Sequence, residues 1–208
     1  MSIQASLWKG PVRPTLASGS ATRRLLLESA RIAVDVEAAH VDERALEDAF
    51  LASGGAPSAV ATELARAKAL AVSRRRPGVY CIGADQTLLF DGRLAHKAAS
   101  MDEAARNLAR LAGRTHALVA GVCVARDGAA EFTASQRARL TMRALDEGAI
   151  RRYLDAAGSD VLSSVGAYQI EGFGIHLFET IDGDHSTILG LPLLPLLRWL
   201  RGQGLLAL

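Results

Sequence analysis

A single carboxylate, Asp85, interrupts an otherwise hydrophobic strand-like run, VYCIGADQTLLF, at residues 79–90. A lone Asp in such a strand costs several kcal/mol if it is buried and unpaired. Its side chain is therefore expected at a strand end, facing a cleft where it can meet a cation. Asp91-Gly92 supplies a turn that sends the chain back towards Lys97. An acid and a lysine brought together by one hairpin suit a site that handles phosphate and metal.

The rest of the chain alternates strand and helix signals. Residues 1–12 read as a loose lead-in to a single domain over 13–208. Residues 14–18 form a short strand candidate, which runs into Ser18-Gly19-Ser20 and a helix from Ala21 with Ser20 as N-cap. A second strand fits 31–39, followed by a loop that carries Asp42 and Glu43. Pro57 opens a helix whose Val60, Leu64, Ala67 and Leu70 recur at helical spacing, and Arg74-Arg75-Arg76 close it at its negative end. Residues 101–111 read as a helix that ends at Gly113. Two long strands, 115–125 and 131–142, are joined at Asp127-Gly128, a strong hairpin signal. A helix over 145–156, a glycine-rich segment over 158–174, a strand over 176–181 and a final helix from about Leu191-Pro192 complete the pattern. It predicts a mixed α/β protein with a sizeable antiparallel component rather than a regular doubly wound sheet.

Charge narrows the partners. With 24 basic and 22 acidic residues the net charge is only +2, so a nucleic acid polymer is disfavoured while a small polyanion is not. The longest late apolar stretch, 188–197, holds two prolines and falls well short of the roughly 20 residues of a membrane span. No secretory signal is visible, and a cytoplasmic location is the expectation. Cys81 and Cys123 sit in apolar runs without metal spacing and read as reduced core residues.

Several residues suit polyphosphate chemistry. SGSATRR, residues 18–24, joins a strand to a helix N-terminus, where free N–H groups attract anions; Ser18 and Ser20 add hydroxyls, and Arg23 or Arg24 adds charge. Asp42 and Glu43 offer hard oxygen ligands for a divalent cation shared with Asp85. Lys68, in LARAKA, taken alone reads as an ordinary exposed lysine. Glu171, in QIEGFG, is either a surface turn residue or an acceptor for the donors of a purine edge. His116 reads as structural. The common nucleotide and hydrolase signatures, GxxxxGK[ST], GxGxxG and GxSxG, are absent.

Taken in order, LASGSATRR, VDE at 41–43, LARAKA, GADQT, the hairpin Lys97, LARLAGRTHALVAGVCV, GAYQIEGFG and IDGDHSTILGLPL resemble the Maf family of nucleoside triphosphate pyrophosphatases over roughly residues 16–202. The resemblance implies an α/β fold like that of the inosine-triphosphate pyrophosphatases, with two lobes around a cleft. It implies hydrolysis of a nucleoside triphosphate to a monophosphate and pyrophosphate with a divalent ion, Mg²⁺ or else Mn²⁺ or Co²⁺. Carried over by position, Asp85 is the catalytic acid–base residue or a metal ligand. Ser18, Ser20, Arg23, Lys68 and Lys97 line the substrate site, and Glu43 with Asp42 holds the metal.

Three positions distinguish the family's branches, and here they hold Thr22, Gln86 and Glu171. Gln86 and Glu171 resemble the branch that prefers 7-methyl-GTP. Thr22 departs from that branch's tryptophan, and Ala21 and Ala98 replace family prolines. The alternatives are a dTTP/UTP pyrophosphatase of the same family, or a nucleotide-binding regulator of cell division without turnover. The family is commonly homodimeric, with the C-terminal helix as one contact surface; simple packing of that helix onto the sheet is the other reading.

Overall fold

The computed structural model describes residues 6–208. Its described residues form seven strands and seven α-helices, the mixed α/β architecture read from the sequence, arranged in two compact units. The first unit holds the described residues through Gln86 together with Val119–Gln136 and His185–Leu208; the second holds Thr87–Leu118 and Arg137–Asp184.

In the first unit, β1 (Thr15–Leu16) leads into α1 (Ala21–Ser29), capped as expected by the Ser20 side chain, which accepts from the Arg23 N–H. After β2 (Asp35–Val36) comes α2 (Glu43–Ala52). A 3-10 turn at Pro57–Ala59 then feeds α3 (Val60–Ser73). β3 (Cys81–Phe90) begins in this unit, and β1 pairs in parallel with both β2 and β3. Stretches of β5 (Thr115–Arg126) and β6 (Ala129–Met142) continue the order β2-β1-β3-β5-β6. The core packs Leu16, Leu27, Ile32, Ile82, Val122 and Val124 against Leu191, Leu196 and Leu200. The last two of these lie on α7 (Leu193–Gly202), so one face of the C-terminal helix is committed to its own unit. Trp8, Tyr80, Trp199 and Phe132 form a chain of aromatic contacts beside this core.

Three departures from the sequence reading lie here. The second strand shrinks to two residues, because Ile32 N–H still closes the preceding helix on Leu27 and His40 takes a left-handed φ of 51°. The helix α2 replaces the expected acidic loop: the Asp42 carboxylate accepts the Ala45 N–H and nucleates it. Of the lead-in, residues 1–5 lie outside the described residues, and from Ser6 onward the chain is tied down, with Leu7 N–H donating to the Arg31 carbonyl and Trp8 bridging to Leu206.

The helix α3 lies against the sheet through a seam of small residues. Ala61, Ala65 and Ala69 recur at intervals of four and share one helical face. A Cβ built on Gly121 of β5 would come 2.5 Å from the Ala61 carbonyl oxygen, and one on Gly83 of β3 would overlap the Ala65 carbonyl. Only glycine permits the helix backbone to come this close to two strands.

In the second unit, β4 (Arg93–Ala95) folds back antiparallel on β3, and β7 (Phe178–Asp182) pairs antiparallel with β6. The Asp127-Gly128 turn that joins β5 to β6 is in the first unit and adopts left-handed φ angles of 51° and 77°, as a tight hairpin requires. Two helices belong to the second unit, α4 (Met101–Leu111) and α5 (Glu147–Ala157), and they pack on one another. The strand expected over 176–181 starts two residues later, because His176 and Leu177 finish a 3-10 turn.

His116 is sealed in this unit. It is 3% exposed, its Nε2 lies 2.6 Å from the Tyr168 hydroxyl, and its Nδ1 is buried without a partner among the described residues. A charged imidazole would have to bury a second N–H donor there, so burial pulls the His116 pKa from 6.5 to about 4. The sign follows directly. Between these values the unfolded chain binds the proton and the folded chain does not, so stability is full above 6.5 and declines as pH falls towards 4. The loss is on the order of 3 kcal/mol. Denaturant unfolding of wild type over this pH window is expected to show that slope. His116→Phe is expected to flatten it whatever its effect on absolute stability; an unchanged slope would assign the acid sensitivity to other groups.

Candidate active site

The first unit gathers Ser18, Arg23, Glu43, Lys68 and Asp85. Asp85 sits mid-strand in β3 rather than at a strand end. It can do so because its burial is compensated on both oxygens. Oδ2 accepts from Lys68 Nζ at 2.8 Å; Oδ1 accepts the Gln86 N–H at 2.7 Å and lies 3.7 Å from a guanidinium nitrogen of Arg23. The Asp85 side chain is 10% exposed.

Lys68 is 9% exposed, which corrects its isolated reading as a surface lysine. It lies on α3, whose close seam with β3 directs its ammonium at Asp85. The same Nζ lies 2.7 Å from Glu43 Oε1. Glu43 is the first residue of α2, with a side chain 55% exposed, so it closes the group on the solvent side. Asp42, expected as a co-ligand, spends Oδ1 on the helix cap.

Arg23 is held from several directions. Its Nε donates to the Gly190 carbonyl at 2.8 Å, and one terminal nitrogen donates to the Ala84 carbonyl at 2.8 Å and to Ser18 Oγ at 3.1 Å. Burial pulls its pKa down, opposed by the charges of Asp85 and Glu43. These contacts fix the guanidinium beneath Asp85 and leave it few donors for anything else. Arg24, the other expected cation, is exposed and pairs with Glu28 at 3.8 Å. Ser18 Oγ also accepts the Ser20 N–H at 3.3 Å, which shapes the turn into α1. In the first turn of that nine-residue helix the N–H groups of Ala21 and Thr22 have no intrahelical acceptor.

The Gln86 amide donates to the carbonyls of Thr187 and Ile188, at 2.9 and 2.8 Å, in α6 (His185–Ile188). It is a tether for the segment that also presents Gly190 to Arg23. Gly190 has a φ of 93°, which turns its carbonyl to this use. The tether and the Gly190 anchor were not anticipated from sequence; the glycine in STILGLPL was the only local signal. In the second unit, Lys97 is exposed in the connection between β4 and α4, and Glu171 is exposed in the turns before β7.

Two carboxylates and two cations cancel, so the group offers no surplus positive charge to a polyphosphate. The oxygens of Glu43 and Asp85 nevertheless converge on one point, marked by Nζ. Two converging carboxylates suit a hard divalent cation whose remaining ligands are phosphate oxygens and water. No cluster of three or more His, Cys, Asp or Glu side chains with metal-binding geometry occurs among the described residues, so the protein alone supplies an incomplete cage. The donor set fits a metal that is completed by substrate.

Comparison with known proteins matches residues 13–203 to the family described as Maf-like protein. A nucleoside triphosphate pyrophosphatase of Nitrobacter winogradskyi is 53% identical, over 98% of this chain and all of the relative. A 7-methyl-GTP pyrophosphatase of Mesorhizobium japonicum is 51% identical over 91% of this chain and 95% of the relative, and one of Brucella abortus 49% identical over 92% and 96%.

Proposed function

The chain belongs to the Maf family, and from that premise we propose that it hydrolyses 7-methyl-GTP to 7-methyl-GMP and pyrophosphate at the Asp85 group. It is a hydrolase, a nucleoside triphosphate pyrophosphatase like its relatives at about half identity. The observation that carries the site assignment is the shared ammonium of Lys68 between Glu43 and Asp85.

Water attacks the α-phosphorus, the bond to the bridging oxygen of the β-phosphate breaks, and pyrophosphate leaves with that oxygen. The N-terminus of α1, with Ser18 and Ser20, receives phosphate oxygens. Lys68 turns from the carboxylates to the phosphates and neutralises charge there. That move frees Asp85 Oδ2 either to take the proton of the attacking water or to join Glu43 in holding a metal ion, while Gln86 N–H and Arg23 hold Oδ1 in place. Glu43 and Asp85 would hold a divalent ion, which would supply Lewis acidity to the phosphate and ease deprotonation of the attacking water.

The base preference rests on Gln86 and Glu171 and on the relatives named for 7-methyl-GTP. A carboxylate at 171 would accept the N1–H and N2–H₂ donors of guanine and would attract a base that methylation has made cationic. Thr22 lacks an aromatic face for a cation–π contact worth about 0.5–2 kcal/mol, so affinity for the methylated base is expected to be modest. Purified protein given 7-methyl-GTP, GTP, dTTP and UTP with Mg²⁺ or Mn²⁺ is expected to release pyrophosphate fastest from 7-methyl-GTP. Release from none of the four would leave only a binding role. Glu171→Gln is expected to lower kcat/KM for guanine nucleotides about tenfold, the scale of one lost charged hydrogen bond, and to spare dTTP. An unchanged substrate ranking would mean that Glu171 does not read the base.

A further inference from the structure

The ammonium of Lys68 stands at the convergence point of the carboxylates that would hold a metal ion. Its distances of 2.7 Å to Glu43 and 2.8 Å to Asp85 are those of charge-assisted hydrogen bonds on both sides. The other oxygen of Asp85 is engaged with Gln86 N–H and faces Arg23, so it offers no alternative approach to a cation. Lys68 is 9% exposed and is carried by a helix pressed against β3, which leaves its ammonium little room to retreat while the carboxylates remain its partners. A divalent ion at the same point would lie within a few ångströms of that ammonium, where like charges in a poorly solvated site repel strongly.

From this geometry we infer that Lys68 is the resident counter-ion of the Glu43–Asp85 pair and excludes divalent metal until a polyphosphate draws its ammonium away. The inference deepens the proposed function and rests on it for the identity of the site. Its consequence is an order of events: the nucleotide-free protein binds metal weakly, and metal becomes bound as nucleotide arrives. Lys68 thus acts twice, first as a guard of the carboxylates and then as a phosphate ligand.

Mn²⁺ alone, with no nucleotide present, tests this. Binding is read from the electron paramagnetic resonance signal of free Mn²⁺ for wild type, Lys68→Met and the more polar Lys68→Gln, each with its fold checked by circular dichroism. Both variants are expected to bind Mn²⁺ at least about tenfold more tightly than wild type, a gain of about 1.4 kcal/mol. Adding Glu43→Gln to either variant is expected to abolish the gain. Equal or weaker Mn²⁺ binding in the folded variants overturns the inference, as does a gain that persists without the Glu43 carboxylate. If one variant does not fold, the other decides by the same criterion. Because no nucleotide is involved, the result is separable from the hydrolysis assay: a protein inert towards all four triphosphates would overturn the proposed function and leave the metal result standing.

Discussion

Replacing Asp85 with Asn is expected to lower kcat at least about 100-fold, the usual contribution of a positioned acid–base group. The substitution keeps the shape of the side chain and removes its charge and its capacity to take a proton. Oδ1 is held by Gln86 N–H, and the amide oxygen of Asn can occupy that position, so the strand is expected to stay in register. The amide NH₂ would then face the ammonium that Oδ2 now accepts. Lys68 would be left with Glu43 as its one carboxylate partner, on the solvent side. Breaking a buried pair by removing one partner costs about 3–5 kcal/mol, and the remaining contact with Glu43 places the expected loss at the lower end. Single-turnover hydrolysis and thermal unfolding, measured on the same sample, separate these effects. A folded variant with near-normal turnover would remove Asp85 from the mechanism. A variant whose activity returns on cooling would show that its defect is stability and not chemistry.

How far the site was legible can be argued from its members. Asp85 announced itself because a carboxylate inside an apolar strand must find a cation, and the structure supplies two. The same argument misplaced it at a strand end, since the pattern of VYCIGADQTLLF does not reveal that both cations approach the middle of the strand. The Ser20 cap and the Asp127-Gly128 hairpin were legible because their chemistry is local. Lys68 was placed in the site only by resemblance, because LARAKA on its own looks like a solvated turn of helix until Gly83 and Gly121 are known to face it. The helix after Asp42 was missed because a run with only Leu46 and Phe50 as large apolar residues four apart gives a weak periodic signal, and the cap that starts it looks like any acidic loop. Gln86 was read from the sequence only by resemblance, yet its amide acts on carbonyls 101 and 102 residues further on, a relation no local pattern carries. Local chemistry was readable; the buried use of polar side chains, which depends on partners remote in sequence, was not.

The glycine seam carries the second large expectation, and it joins fold to chemistry. Gly83 lies two residues before Asp85 on β3, and the helix opposite it carries Lys68. A methyl group at position 83 would overlap the Ala65 carbonyl oxygen and come 2.6 Å from the Ala69 nitrogen. Both are helix backbone atoms, which cannot rotate aside as a flexible side chain can. The helix must therefore move as a body or the strand must buckle. Overpacking of this kind costs about 1–3 kcal/mol, and the rigidity of the neighbours puts Gly83→Ala at the upper end. For a chain of this size that is a fall of about 6–12 °C in Tm. The displacement also acts on the site. Ala65 and Ala69 flank Lys68, so a retreat of α3 lengthens the 2.8 Å contact with Asp85. A misplacement of about 1 Å at a reacting group can cost 10²-fold in rate. Gly83→Ala is thus expected to lower kcat about tenfold or more even at temperatures where it remains folded. Gly202→Ala is the control: a Cβ there meets nothing within 4 Å at the end of α7, so its Tm is expected to equal or slightly exceed that of wild type and its kcat to be unchanged. A Gly83→Ala protein with the Tm and turnover of wild type would mean that the helix has slack at this seam and that something other than the close approach sets Lys68 against Asp85.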